Sequence, residues 1–229
     1  MIYVTGDFHG DISRFDDQKL KKLKKGDTLI ICGDFGFIWN GSKRESATLQ
    51  KLFNKKYNIA FIDGTHENFD LLNEFPVVRW MGAPVHHIGG NVYHLMRGQI
   101  YTIEGQRIFT FGGGESEDKE LRLEGVSWWR EEQPTKEELM FAADNLETID
   151  CNPNIVITHE PPASILNFLN LRNPIGVSVT PINTFFDELS ACCDYDRWFF
   201  GSVHMDKNIS SHHIAVFKNI YNAVSGEKL

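Results

Sequence analysis

The sequence predicts an α/β protein built on one mixed sheet or on two sheets packed face to face, and three observations carry that expectation. The first third alternates short apolar runs with helix-compatible segments, the βαβαβ pattern of parallel strands joined by crossover helices. Between Asn91 and Phe111, β-rich runs are broken by Arg97-Gly98 and Glu104-Gly105, which reads as antiparallel hairpins. The last third adds three more apolar runs, beginning at Ile155, Trp198 and His213.

Taken in order, Ile2-Tyr-Val-Thr is a strand, Asp16 to Lys25 a helix, Thr28-Leu-Ile-Ile-Cys a strand, Arg44 to Lys56 a helix, and Ile59-Ala-Phe-Ile a strand. Within the first helix the lysines from Lys19 to Lys25 resemble a nucleic-acid patch. Leu20 and Leu23 at i, i+3 instead fit a buried stripe with solvated lysines around it. The hairpin runs are Asn91-Val-Tyr-His-Leu, Gln99-Ile-Tyr-Thr-Ile and Arg107-Ile-Phe-Thr-Phe. Gly112-Gly-Gly to Trp129 follows as a long loop, and Pro134-Thr-Lys-Glu-Glu-Leu opens a helix with proline and acidic residues near its start. No repeat and no Gly/Ser or Pro-rich linker divides the chain, so residues 1–229 are expected to form a single domain.

With 229 residues, 41% hydrophobic and 24% charged, the chain can bury a sizeable core, and disorder or a coiled coil falls away. Lys plus Arg number 23 against 31 Asp plus Glu, a net charge of −8. That does not favour nucleic acid as a partner, although a local basic groove stays open. Cys32, Cys151, Cys192 and Cys193 lack metal-finger spacing and read as reduced thiols of a cytoplasmic protein. No apolar stretch approaches the ~18 residues of a membrane span and no signal peptide is visible, so the protein is expected to stay where it is made.

The chemistry sits where the apolar runs end. Asp7 and His9 follow the first, Asp34 the second, His66 the third, His159 the run at 155 and His204 the run at 198. Sites of open α/β sheets form outside the carboxyl ends of parallel strands, so these residues are placed to converge. Mixed aspartate and histidine donors suit a divalent transition metal such as Mn, Fe, Zn, Ni or Co. Asp7 and His9, two apart at a strand end, point the same way.

In its ordered motifs the chain resembles the calcineurin-like metallophosphoesterases. The motifs are Gly6-Asp7-Phe8-His9-Gly10, Gly33-Asp34, Gly64-Thr65-His66-Glu67, Thr158-His159 and Gly201-Ser202-Val203-His204. The resemblance implies a four-layer α/β/β/α sandwich of mixed sheets and a two-metal site for phosphate-ester hydrolysis. It puts Asp7, His9 and His204 on the first ion, Asp34 between the two, His159 on the second, and His66 beside the leaving group as general acid. A hydroxide between the ions would attack phosphorus in line. Two positions depart from the family pattern: Thr65 stands where it has Asn, and Ser202 where it has the first His of Gly-His-x-His. Both losses fall on the second ion, because a hydroxyl is a poorer donor than an amide carbonyl or an imidazole. One tight and one weak metal are expected, the weak one helped by water, by substrate oxygens, or by Glu160, Glu67 or Asp206.

Other constellations read as structure. His86-His87 and His212-His213 lack nearby carboxylates at useful spacing. Gly112 to Gly114 lacks the Gly-Lys-Ser/Thr of a phosphate loop, although Lys119 or Arg122 could reach a substrate from the loop that follows. Arg97 and Trp128-Trp129 could line a cleft or pack. Two functions remain: a metal-dependent phosphomonoesterase or phosphodiesterase, or a catalytically impaired metal-binding scaffold of the same fold. Nothing in the sequence fixes the oligomeric state.

Overall fold

The structure, a computed structural model, describes residues 1–116, 118–170 and 178–229. Its strands are β1 (Ile2–Thr5), β2 (Thr28–Ile31), β3 (Asn58–Phe61), β4 (Val77–Trp80), β5 (Ala83–Gly89), β6 (Val92–Leu95), β7 (Gln99–Ile103), β8 (Gln106–Phe111), β9 (Ile155–Thr158), β10 (Arg197–Phe200), β11 (Lys207–Asn208), β12 (His213–Ala215) and β13 (Tyr221–Asn222). The helices are α1 (Gln18–Lys21), α2 (Lys43–Phe53), α3 (Phe69–Asn73), α4 (Lys136–Glu147), α5 (Ala163–Asn170) and α6 (Pro181–Cys192). A seven-stranded sheet has the order β13-β1-β2-β3-β6-β5-β4 and a six-stranded sheet the order β11-β12-β10-β9-β8-β7. In the first, β1, β2, β3 and β6 run parallel. In the second, β8, β9, β10 and β12 do.

Alternation along the strands makes this a layered molecule. Ile2, Val4, Ile30, Ala60, Ile108, Ile155, Ile157 and Phe199 meet in one buried cluster between the sheets. Their neighbours Tyr3, Leu29, Ile31, Ile59 and Phe61 pack outward with Leu20, Leu49, Leu52 and Leu72 of the first three helices. Phe109, Phe111, Val156, Trp198 and Phe200 pack on the other outer face with Leu146 of α4 and Ile182, Phe186 and Leu189 of α6. Successive side chains of a strand point to opposite faces, so strands covered on both sides read as continuous apolar runs. The four-layer α/β/β/α arrangement follows.

Two expectations need correction. The helix over 16–25 is only α1, preceded by a 3-10 turn over Ile12–Asp16. Asp17 accepts a hydrogen bond from the Lys19 amide and starts the helix at residue 18, as a capping carboxylate does. Leu20 and Leu23 are nevertheless buried. The run at 91–95 does not hairpin with 99–103. It forms β6, between β3 and the antiparallel β5, and the chain then crosses to the other sheet, where β7 and β8 form the expected hairpin. At the crossing, Arg97 is drawn into a buried ion pair, its Nε and Nη2 donating to Asp63 Oδ2 at 2.8 and 2.6 Å. The pair anchors the turn at Arg97 and Gly98, where Gly98 has φ 69°. Arg97 is thus structural. Among the described residues no helix is long and apolar enough to cross a membrane.

Candidate metal centre

The carboxyl ends of β1 and β2 in one sheet and of β9 and β10 in the other face a common point. Asp7, His9, Asp34 and His204 each present a ligand atom there, all within 4.8 Å of one another. His9 Nε2 and His204 Nε2 are 3.0 Å apart, and His204 Nε2 lies 3.1 Å from Asp7 Oδ2. His9 Nε2 lies 3.7 Å from Asp34 Oδ2, and His159 Nε2 the same distance from Asp34 Oδ1. Asp7 is 1% exposed, yet neither of its carboxylate oxygens receives a well-directed hydrogen bond. A buried carboxylate without donors is costly unless a cation satisfies it, so the site fits a divalent ion bound by two nitrogens and two carboxylates.

The backbone bends sharply to bring these groups in. His9, Asp34, Ser202 and His204 all have left-handed φ, between 44° and 57°, a strained conformation for non-glycine residues that clusters at functional sites. Gly33, at φ 97°, lets the chain pass His159. A Cβ there would collide with the imidazole Nδ1. The His159 Nδ1–H donates to the Cys32 carbonyl at 2.9 Å. This keeps a proton on Nδ1 and turns Nε2 toward Asp34, so that Nε2 is the nitrogen left for an ion, the support a metal-binding histidine receives from its other nitrogen.

Burial disfavours a charged His159, but Asp34, Asp7 and Glu160 outweigh it and raise its pKa to about 9, so an ion at Nε2 competes with a proton drawn there by the same carboxylates. Burial likewise opposes ionisation of Asp34, yet His159 and the contacts with His66 hold its carboxyl well below the usual range. Contact with Asp7 raises His204 against the effect of burial, whereas burial lowers His9.

His66 stands at the mouth of the centre. Its amide donates to Asp34 Oδ1 at 2.7 Å and its Nδ1 lies 3.1 Å from Asp34 Oδ2. Arg122, from the long loop, donates through Nη2 to His66 Nε2 at 2.6 Å. A guanidinium can only donate, so Nε2 accepts and the ring proton sits on Nδ1, toward Asp34. Arg122 is held in turn by Asp118 at 2.8 Å and by the Ser127 carbonyl.

Several sequence candidates lie elsewhere. Glu67 does not turn toward the ligands: it is buried and accepts from the Phe35 amide at 2.6 Å, bracing the loop that carries Asp34. Asp206 accepts from the amides of Phe217, Lys218 and Asn219 and caps that turn. Lys119 pairs with Glu115. Trp129 is buried and donates to Asp70 at 2.8 Å, so it packs and does not line a cleft. Thr65 Oγ1 lies 3.1 Å from His66 Nδ1, and Ser202 Oγ donates to Glu160 at 2.9 Å. His86 and His94 stack with their Nδ1 atoms 2.9 Å apart, and His94 Nε2 lies 3.2 Å from Asp63. His94, eight residues from His86, is the link that gives the histidine a carboxylate the local sequence lacks. Cys32, Cys151, Cys192 and Cys193 are free thiols.

Two mixed sheets in a sandwich, with aspartate and histidine gathered on the rim where both end, define a metallophosphoesterase class of protein. Residues 1–207 match the family described as Calcineurin-like phosphoesterase, and the chain belongs to that family. No curated protein matches it at a significant level. Metal-dependent phosphoester hydrolysis is the activity at the level of the family.

Proposed function

We propose that the chain is a metal-dependent phosphoesterase acting on phosphomonoesters or phosphodiesters. Asp7, His9, Asp34 and His204 hold one divalent ion tightly, and Asp34 and His159 face a second, weaker position. The observation that carries this reading is the Asp7 carboxylate, buried with no lysine, arginine or well-directed hydrogen bond on it among the described residues, beside two imidazoles and a second carboxylate. Mn, Fe, Zn, Ni or Co in such a site supplies Lewis acidity and draws the pKa of water toward about 7.

The chain's own residues do the rest. Arg122 is the cation nearest His66 on the substrate side and turns from His66 Nε2 to a phosphoryl oxygen when an ester enters. Nε2 can then carry the proton that the departing alkoxide takes, a general-acid role worth ~10²–10⁴-fold. Asp34 orients the ring through Nδ1. The net charge of −8 favours small esters over long polyanions, and the four free thiols support a reducing compartment, the cytoplasm.

Hydrolysis of p-nitrophenyl phosphate and bis-p-nitrophenyl phosphate with Mn²⁺, Ni²⁺ or Co²⁺ tests the proposal, with Asp34→Asn as control. Metal-dependent turnover that disappears in the control is expected; none in the parent, or equal turnover in both, refutes it. The second reading, a metal-binding scaffold that has lost catalysis, draws on Thr65 and Ser202, whose hydroxyls are occupied by His66 and Glu160. A large gain in activity on Thr65→Asn/Ser202→His supports the scaffold. No gain over an active parent supports the enzyme.

A further inference from the structure

The two positions at which this chain departs from the family pattern meet around one acidic side chain. Ser202 Oγ donates to Glu160 Oε1 at 2.9 Å. Thr65 approaches the same carboxylate across Gly114. A Cβ on that glycine would come within 2.8 Å of Glu160 Oε1 and 2.9 Å of Thr65 Cγ2, so the missing side chain is what lets Glu160 and Thr65 face each other. Glu160 immediately follows His159 at the end of β9, and its backbone is fixed on both sides. Thr158 Oγ1 donates to the Glu160 carbonyl at 2.6 Å, and Asn183 Nδ2 to the Pro161 carbonyl at 2.9 Å.

Among the described residues, no Lys or Arg comes within ion-pair distance of this carboxylate. Its charged neighbours are His159 and Asp34, the two groups that face the second metal position. The carboxylate is largely buried, with the Ser202 hydroxyl on it, the Asn183 side chain nearby and the His159 imidazole as its charged partner, so its compensation depends on a proton at the nitrogen that an ion would take.

We propose that Glu160 is a ligand of the second ion, one carboxylate standing in for the two donors the pattern has lost. The inference rests on the phosphoesterase reading of the site and deepens it. The second position then comprises Asp34, His159 and Glu160, with the Ser202 hydroxyl on Glu160 and the Thr65 methyl beside it. Exchanging an amide and an imidazole for a carboxylate makes the donor set harder and one unit more negative. Oxygen-rich sets of that kind suit Mn²⁺ and Mg²⁺, and nitrogen-rich sets suit Zn²⁺ and Ni²⁺. The two ions of this protein therefore differ in kind: the first position, with two imidazoles and two carboxylates, takes the later transition metals, and the second prefers manganese or magnesium.

Metal binding to the metal-free full-length chain, followed by calorimetry and by the electron paramagnetic resonance of Mn²⁺, tests this without reference to activity. The wild type is expected to bind two Mn²⁺ ions. Glu160→Gln keeps the shape and an oxygen for Ser202; it is expected to weaken the second ion at least tenfold and leave the first within about twofold. In a Thr65→Asn/Ser202→His background the same change is expected to have little effect, because the neutral donors are restored. This arm also guards against a Glu160→Gln chain that fails to fold alone. Two ions bound with unchanged affinity by Glu160→Gln, or one ion bound by both wild type and variant, overturns the role of Glu160 and leaves the phosphoesterase proposal standing. A wild type that binds no ion overturns both.

Discussion

Replacing Asp7 with asparagine separates the cost of an uncompensated buried charge from the gain of satisfying it. Asp7 lies at 1% exposure with no well-directed hydrogen bond on either oxygen and only the half-exposed His204 imidazole 3.1 Å from Oδ2, so the metal-free protein carries that carboxylate at a loss. A bound ion removes the loss and stabilises the native state by mass action. At a free metal concentration 100 times Kd the gain is about 2.7 kcal/mol. A domain of this size shifts by about 2–4 °C per kcal/mol, so saturating Mn²⁺ should raise the melting temperature of the wild type by about 5–11 °C. Asp7→Asn keeps the volume and removes the charge. Its metal-free form should melt no lower than the metal-free wild type, and Mn²⁺ should move it by less than a quarter of the wild-type rise. Differential scanning calorimetry after chelation, with and without Mn²⁺, reads both quantities. A full metal-induced rise in Asp7→Asn, or none in the wild type, refutes the assignment of this carboxylate to the ion.

Three other substitutions test separate parts of the molecule. His66→Gln should slow hydrolysis of an alkyl phosphate ester by ~10²–10⁴-fold and of p-nitrophenyl phosphate far less, because nitrophenolate leaves without a proton; equal losses on both substrates argue against the acid role. Arg122→Gln should raise KM for p-nitrophenyl phosphate and weaken inhibition by inorganic phosphate about tenfold or more, the scale of a charge-assisted contact, and an unchanged KM counts against phosphate capture. Asp63→Asn removes the closer of the two carboxylates on the buried Arg97 guanidinium and leaves it Glu138 at 3.4 Å; the loss should cost about 1–3 kcal/mol in urea denaturation at pH 7. Burial opposes ionisation of Asp63, but Arg97 and His94 hold its carboxyl below the usual range. Its stabilisation is therefore complete above about pH 5 and declines as the pH falls below about 4. The gap between wild type and variant should narrow in acid; a gap that widens there contradicts the sign.

The strands that position the site were legible because each is covered on both faces. Ile2-Tyr-Val-Thr, Thr28-Leu-Ile-Ile and Ile155-Val-Ile-Thr form continuous apolar runs and end at Asp7, Asp34 and His159. The strand β4 escaped notice because Val77, Val78 and Arg79 are exposed and carry no buried alternation. The sheet assignment of β6 was illegible for another reason: the Asp63–Arg97 pair that anchors the crossing joins residues 34 apart. At the site, residue types identified the candidate ligands, but adjacency misled twice. Glu67 follows His66 yet turns back to the Phe35 amide, and Asp206, two residues after His204, is spent on backbone amides. The contact of Arg122 with His66 spans 56 residues. Only its place in a loop after Gly114 hinted at it.

Asp7, His9 and Asp34 follow strands of one sheet, and His159 and His204 follow strands of the other. The candidate centre exists only when both halves of the sandwich have met. A cation held there acts as a rivet through the two layers, so its grip reads out their docking. A chain caught with one layer formed has half a socket and should release metal readily. Amide exchange in β9 and β10 should therefore quicken on chelation ahead of any change at the far edges, β4 and β7, where no rivet passes.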